Sequence, residues 1–230
     1  MALADLLLGK KTYYDYKTPN TSFLVVAKEL RDRNVSNYKF PLTIYDKDLI
    51  GVDPYSEGLS DEIKSKIIKE TSINIWYFLR EVIKIPAPAM NVPYKLHRGN
   101  LAMTFCQWLN IDTSIELPRQ HYKTYSAICF YVWVMMYVAK NYTMVFSHKS
   151  YDDSTENLKK LKDIINPANK CLPSYMYGTL SDNNKDIKNT EKLVLIKPNN
   201  TIKTIGPANN KEGADKAGSM GDMELYMFAS

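Results

Sequence analysis

The sequence predicts an α/β fold in which a helical N-terminal region leads into a mostly parallel sheet. Before residue 92, apolar residues recur at helical spacing and are separated by turn residues. After residue 92, short strand-like segments alternate with helical ones, which is typical of strand–helix–strand units around a parallel sheet. We therefore expect a helical region over 1–91 and a second region over 92–230.

The first region contains three predicted helices. The helix over 22–33 has its apolar residues on one face and either Thr21 or Ser22 as a plausible N-cap. The second helix begins at Ser60, with two acidic residues in its first turn, where negative charge stabilises the helix dipole. The third helix, over 72–83, is rich in aromatic residues and ends before a proline-containing break.

The second region alternates between the two kinds of element. In chain order we predict helix 101–109, strand 114–117, helix 125–138, strand 143–147, helix 154–165, strand 192–197, strand 201–205 and strand 223–228. Ser154 is expected to cap its helix, and the Asn199–Asn200 dipeptide is expected to form the turn between two paired strands.

Composition excludes several classes of protein. In this chain of 230 residues, 45% are apolar and 24% are charged, which is ordinary for a globular protein and argues against general disorder. The net charge of +5 fits an anionic partner such as DNA or nucleotide, and it fits a lysine-rich solvated surface equally well. The longest apolar run, over 127–139, is shorter than the about 20 residues that span a bilayer, so no membrane association is expected.

Four further sets of residues carry weaker predictions. The cysteines lack the spacing of a disulfide framework or zinc site, which favours a reducing compartment, and the scattered histidines do not predict a metal site. The tryptophans are predicted to lie in the core, and the lysines of helix 154–165 to form a solvated face, with DNA contact as the alternative. These residues are Cys106, Cys129, Cys171, His97, His121, His148, Trp76, Trp108, Trp133, Lys159, Lys160 and Lys162.

A short polar loop separates the predicted strand 114–117 from the predicted helix 125–138. Its residues are Pro118, Arg119, Gln120, His121, Tyr122, Lys123 and Thr124. A strand, a loop ending in Lys-Thr and a helix form the arrangement in which a lysine contacts terminal phosphates and a hydroxyl binds Mg²⁺. The general pattern G-x-x-x-x-G-K-[ST] is broken at Leu117 and Tyr122, so spacing alone leaves open that the loop only caps a helix.

The loop resembles the [PS]-R-Q-x-G-K-T loop of the large terminases of tailed phages, and Tyr122 is the one defined position that differs. Other segments resemble the same family in the same order. Residues 97–100 (HRGN) fall where terminases contact adenine, residues 144–175 resemble the following strand and helix, and residues 213–218 (GADKAG) resemble the A-D-K-x-G segment. Together these segments cover roughly residues 92–230.

The resemblance implies the first part of a P-loop NTPase core, with ATP and Mg²⁺ as cofactors, in a motor that packages DNA into capsids. It implies that the whole loop 118–124 contacts phosphate, that Thr124 binds Mg²⁺ and that Arg98 lies in the adenine-contacting segment. Arg119 would act catalytically on the γ-phosphate, although a surface salt bridge is an equal alternative. The implied partners are viral double-stranded DNA, a portal, a small terminase and a ring of like subunits, in the cytoplasm of an infected bacterium.

Two departures from the family qualify this expectation. Tyr122 replaces the glycine that lets the loop pass close to the phosphates without a Cβ. Segment 223–228 resembles the family's acidic strand, but the chain stops before the Asp-Glu pair, and Asp222 and Glu224 are expected to be solvated. We expect negligible ATP turnover from this chain alone, either as part of a divided motor or as a degenerate, non-hydrolysing binding or scaffold protein on the P-loop fold.

Overall fold

The fold is known from a computed structural model, which describes residues 11–111, 123–148, 151–177, 192–205 and 224–229. The helices are α1 (Thr21–Asp32), α2 (Asp61–Ile73), α3 (Ile75–Tyr77), α4 (Arg98–Trp108), α5 (Lys123–Trp133) and α6 (Tyr151–Ile165). Helices α3 and α5 continue as π-helical turns over Phe78–Val82 and Val134–Val138. Short 3-10 turns occupy Phe40–Leu42, Lys47–Leu49, Pro167–Asn169 and Ser174–Met176.

The strands of the described residues form three small sheets. They are β1 (Tyr13–Tyr14), β2 (Thr43–Ile44), β3 (Lys84–Ile85), β4 (Val92–Pro93), β5 (Thr143–His148), β6 (Lys192–Leu195), β7 (Asn200–Ile205) and β8 (Glu224–Ala229). Strands β1 and β2 form one antiparallel pair, and β3 and β4 form another. The sequence analysis predicted only helices before residue 92 and did not predict these pairs. Two-residue strands are too short to show an alternating pattern.

The third sheet is mixed and has the strand order β6-β7-β5-β8. Strand β5 is parallel to both β7 and β8, whereas β6 and β7 form an antiparallel hairpin. Asn199 closes the hairpin in the left-handed conformation (φ 55°), so the predicted turn is confirmed for Asn199. The prediction was wrong for Asn200, which is the first residue of β7. The chain thus has a mixed helix–sheet fold that is compatible with α/β. The four strands of the third sheet correspond to the predicted strands 143–147, 192–197, 201–205 and 223–228. The predicted strand 114–117 lies outside the described residues.

Several predicted helix starts were wrong because tertiary contacts decide them. Asn20 is the N-cap residue of α1, in place of Thr21 or Ser22, and its amide donates hydrogen bonds to the backbone oxygens of Arg80 (3.2 Å) and Tyr94 (2.9 Å). The predicted start of the second helix at Ser60 is confirmed, since Ser60 is the N-cap residue of α2 and its hydroxyl accepts from the amide of Ile63 at 3.3 Å.

The third and last predicted helices also begin elsewhere. Asn74 ends α2 and starts α3, because its side-chain oxygen accepts from the amide of Tyr77 at 3.1 Å. Helix α6 begins at Tyr151, and Ser154 is a fully buried residue inside it, so Ser154 is not the cap. Asp152 and Asp153 occupy the first turn of α6, where their charges stabilise the helix dipole.

Residues from both sides of residue 91 share one hydrophobic core. Phe23, Ile67 and Leu79 from the first region belong to the same buried cluster as Trp133 and Phe146 from the second. The hydrophobic core is therefore continuous across residue 91. The division of the chain into regions 1–91 and 92–230 remains a prediction. Among the described residues, no helix has the length and apolar character required to cross a membrane.

The predicted core tryptophans pack as expected. Trp76 and Trp133 are buried, and the half-buried Trp108 lies edge-on to Trp76 with ring centroids 6.4 Å apart. The three cysteines are free thiols, and burial raises the pKa of Cys171 to about 11.

The lysines of α6 do not form one solvated face. Lys159 is exposed and Lys160 pairs with Glu156 at 2.7 Å, but Lys162 is only 5% exposed. Its ammonium donates to the backbone oxygen of Lys192 at 3.0 Å, so the side chain ties α6 to the sheet. The prediction failed for Lys162 because a long aliphatic stem can lie in the core while its charged end finds a polar partner.

A buried ion pair joins the elements of the first region. Arg80 Nε donates to Glu81 Oε1 at 2.7 Å, and the two side chains are 0% and 3% exposed. Arg80 Nη1 donates to the backbone oxygen of Pro41 at 2.7 Å, just before β2. Burial raises the pKa of the Glu81 carboxyl, and the Arg80 guanidinium opposes this shift. The pair therefore fixes the π-helical turn after α3 against β2.

We expect Arg80→Ala to lower the free energy of unfolding by about 3–5 kcal/mol, because it leaves the buried Glu81 without its countercharge. Urea denaturation followed by tryptophan fluorescence measures this change. Arg31→Ala is the control, since Arg31 pairs with Asp32 at 3.3 Å on the surface and is 56% exposed. The control should be indistinguishable from the parent chain, and equal losses in the two variants would contradict the assigned role of Arg80.

Candidate nucleotide-binding site

The described part of the predicted phosphate loop is the first turn of α5. Lys123 and Thr124 are the first two residues of this helix, and both are half-buried. The remaining predicted loop residues, 118–122, lie outside the described residues. The geometry of the candidate site is therefore given by the contacts that fix α5 in place and by the residues that pack around its N-terminal turn.

Helix α5 is buried on most of its surface. Its sequence is apolar almost all round, and Ile128, Cys129 and Val132 are excluded from solvent. Burial raises the pKa of the Cys129 thiol. Trp133 anchors the middle of the element, since its Nε1 donates to the backbone oxygen of Thr71 in α2 at 2.6 Å. Lys123 and Thr124 therefore stand at the end of a rigidly packed helix.

Asn200 holds the other end of α5. Its amide donates to the backbone oxygens of Met135 (2.7 Å) and Ala139 (3.0 Å), which lie at the π-helical end of the helix. Its side-chain oxygen accepts from the amide of Tyr142 at 2.8 Å, just before β5. Asn200 is fully buried, although the sequence indicated only a turn residue there. One side chain thus joins the end of α5 to the first residues of β5 and β7.

The direction of α5 follows from two contacts. Its C-terminal end meets the start of β5 through Asn200, and Tyr131, nearer the middle of the helix, packs edge-on against Phe146 in the second half of β5 (centroids 6.4 Å). The helix therefore runs back over β5 in the opposite direction. Its first turn, with Lys123, points towards the carboxyl ends of the parallel strands β5 and β8, which is where α/β proteins usually bind ligands.

The segment before α4 packs against the first turn of α5. The hydroxyl of Tyr94 donates to Ser126 Oγ at 3.0 Å, although the two residues are 32 positions apart in sequence. Both residues are buried, and burial raises the pKa of the Tyr94 hydroxyl. Ser126 is one helical turn after Lys123. The structure thus brings residues next to the predicted adenine segment close to the predicted phosphate loop, a contact that the sequence reading missed.

The predicted adenine segment itself forms the start of α4. His97 caps this helix, since its Nδ1 accepts from the amides of Gly99 (3.2 Å) and Asn100 (3.4 Å). Arg98 is 60% exposed, and its Nε lies 3.7 Å from Glu29 Oε2. A surface ion pair of this length is weak and easily exchanged, so the Arg98 guanidinium is accessible to a ligand. The start of α4 is three residues earlier than predicted because His97 and Asn100 cap each other reciprocally.

The described residues contain no cluster of three or more His, Cys, Asp or Glu side chains arranged to hold a metal ion. Mg²⁺ bound with a nucleotide does not require such a cluster, because it takes most of its ligands from phosphate and water. Thr124 Oγ1 is a hard oxygen ligand of the kind that Mg²⁺ prefers.

We expect the hydrogen bond from Tyr94 to Ser126 to couple the two segments energetically. Tyr94→Phe and Ser126→Ala should each lower the free energy of unfolding by about 0.5–1.5 kcal/mol, because each removes one buried hydrogen bond. The double variant should lose clearly less than the sum of the two single losses. Tyr175→Phe is the control, since its hydroxyl bonds to Pro54 at 3.1 Å and its loss should add to that of Ser126→Ala. Additive losses for Tyr94 and Ser126 would show that the two are not coupled.

Comparison with known proteins leaves the family open. No protein-family model matches the chain. No curated protein matches it either. The likeness to large terminases therefore rests on the residue patterns at 97–100, 118–124, 144–175 and 213–218.

Proposed function

We propose that this chain is the N-terminal ATPase part of a viral large terminase and takes part in ATP-driven packaging of phage DNA into capsids. The observation that carries the proposal is the position of Lys123 and Thr124. They begin a buried helix whose first turn points towards the carboxyl ends of parallel strands. The loop sequence that precedes them, Pro118–Tyr122 included, resembles that of the terminase family.

The chemistry expected at this helix start is the binding of a nucleotide triphosphate. The amides in the first turn of a helix and the helix dipole attract phosphate oxygens. Lys123 would place its ammonium on the terminal phosphates, and Arg119 would stabilise charge on the γ-phosphate. Thr124 would bind Mg²⁺, which neutralises charge on the β- and γ-phosphates.

The contact between Tyr94 and Ser126 supports a single binding site. It holds the segment that leads to Arg98 against the helix that begins with Lys123. Phosphate-contacting and base-contacting residues would then lie on one connected, buried support. The planar guanidinium of Arg98 is suited to stacking on an aromatic base.

The wider assembly follows from the same proposal. The partners would be viral double-stranded DNA, a portal, a small terminase and a ring of like subunits, in the cytoplasm of the infected host. The net charge of +5 is compatible with a DNA partner.

Tyr122 favours a second candidate, a non-hydrolysing binding or scaffold protein on the same fold. A side chain at this position adds a Cβ and a ring where the family's loop has only glycine. Such a group obstructs phosphate even where Lys123 and Thr124 are retained.

We expect calorimetric titration with Mg-ATP to show binding that Lys123→Ala weakens by about ten- to a hundredfold. The reason is that a charge-assisted hydrogen bond contributes about 1.5–3 kcal/mol and about 1.4 kcal/mol is a factor of ten. Lys140→Ala is the matched control, since Lys140 is an exposed lysine beyond the opposite end of α5, and it should bind as the parent does.

Tyr122→Gly separates the two candidate functions in the same titration. Binding by the glycine variant alone would mean that Tyr122 has disabled the site, which favours the binding-protein alternative. Failure of both chains to bind Mg-ATP would contradict a nucleotide site at α5. A Lys123-dependent turnover rate in the parent chain would overturn our expectation that it hydrolyses negligible ATP alone.

A further inference from the structure

A cleft opens on the first region, between the strand pair β1–β2, the 3-10 turn Lys47–Leu49 and helix α2. Its volume is about 260 Å³. The lining residues are Tyr13, Tyr45, Asp46, Lys47, Lys66, Lys69, Glu70 and Ile73. The cleft thus combines aromatic walls with a rim of lysines, and neither feature takes part in the proposed nucleotide site.

Two of the rim lysines are available to a ligand. Lys47 and Lys69 are exposed, and neither has an acidic partner among the described residues. Lys11 does not line the cleft, but its ammonium lies 5.4 Å from the ring centroid of the lining residue Tyr13. Lys66 differs, because it pairs with Asp48 at 2.7 Å and Glu62 at 3.0 Å and so joins α2 to the 3-10 turn.

The carboxylates of the cleft are already engaged by the protein. Glu70 is 2% exposed, and its oxygens accept from the amides of Tyr45 (2.9 Å) and Asp46 (3.1 Å) and from the side chain of Asn74 (2.7 Å). Burial raises the pKa of Glu70, and its hydrogen bonds with Asn74, Tyr45 and Asp46 oppose this shift. Asp46 accepts from the amide of Asp48 at 3.0 Å. These hydrogen bonds hold both acids in place, although Asp46 has no ion-pair partner among the described residues. The cleft lining still carries more lysines (Lys47, Lys66 and Lys69) than acids (Asp46 and Glu70).

Aromatic walls beside spaced lysines suit one unit of a nucleic acid strand. Bases stack on aromatic side chains regardless of sequence, and lysines act as point charges along a phosphate backbone. The cleft lies just below the about 300–1,000 Å³ of typical small-molecule sites, so it suits a single base better than a whole nucleotide cofactor. Its exposed lysines lie on two different elements, Lys47 on the 3-10 turn and Lys69 on α2.

We propose that this cleft binds an unpaired nucleotide of a nucleic acid strand, with the base against Tyr13 and Tyr45 and the flanking phosphates on Lys11, Lys47 and Lys69. The proposal does not depend on ATP binding, because every residue involved precedes residue 92 and none belongs to the candidate nucleotide site. A chain that fails to bind ATP can still bind nucleic acid here, and the reverse also holds.

Fluorescence anisotropy with a labelled oligothymidylate of about 12 nucleotides, titrated with the full chain at several salt concentrations, tests the lysines. We expect the double variant Lys47→Ala/Lys69→Ala to bind at least about fivefold more weakly than the parent at low salt. The slope of log affinity against log salt should fall by about 1.4, because each lost contact to a single strand removes about 0.7.

Lys140→Ala/Lys197→Ala is the matched control. Both lysines are exposed, both lie in the second region, and the change in net charge is the same. This control should retain the parent affinity to within about twofold. Equal weakening in the two double variants would overturn the proposal, because it would show that only overall charge matters.

Two tyrosine variants test the base contact. Tyr13→Leu should weaken binding at least about fivefold because it removes the stacking surface, whereas Tyr13→Phe should bind as the parent does. Thermal unfolding of both variants checks that they fold, and the lysine variants test the site even if Tyr13→Leu does not. Tighter binding of duplex than of single strand, or displacement of the oligonucleotide by inorganic phosphate at equal phosphate concentration, would overturn the proposal.

Discussion

The buried guanidinium of Arg80 is the interaction on which the arrangement of the first region depends. Removing a charged group from water is unfavourable unless its donors find acceptors. Two of the three guanidinium nitrogens of Arg80 find them, Nε in Glu81 and Nη1 in the backbone oxygen of Pro41, which draws β2 towards α3. Nη2 is buried without a hydrogen-bond partner among the described residues. The backbone oxygen of Arg80 also accepts from Asn20, so the start of α1 is positioned by the same residue.

This constraint extends to the candidate nucleotide site through two further hydrogen bonds. Asn20 donates to the backbone oxygen of Tyr94, and Tyr94 donates to Ser126 in the first turn of α5. At its far end, α5 is held by Asn200. Hydrogen bonds at both ends of α5 hold its first turn in place. Such preorganisation favours binding, because the ligand-contacting groups then lose less conformational entropy when the ligand binds.

Lysine has several different roles in this molecule, and its surroundings decide which one applies. Lys123 begins a buried helix, where its charge adds to the positive end of the helix dipole. Lys162 is buried and structural, whereas Lys47 and Lys69 stand on the exposed rim of an aromatic cleft. The two proposed functions therefore use different lysines on separate parts of the surface, and a net charge of +5 by itself distinguishes none of them.

The sequence by itself determined the elements whose signals are local. Apolar periodicity located α6 apart from its first turn, Asn199 marked the hairpin, and Ser60 marked the start of α2, because each signal depends on neighbours within a few residues. The phosphate-loop hypothesis also came from sequence, through its likeness to terminases. Only the tertiary structure decided the partners of Asn20, Tyr94 and Asn200, the burial of Lys162 and the direction of α5. Those features join side chains that are far apart along the chain. A local sequence pattern does not indicate which distant polar group will complete their hydrogen bonds.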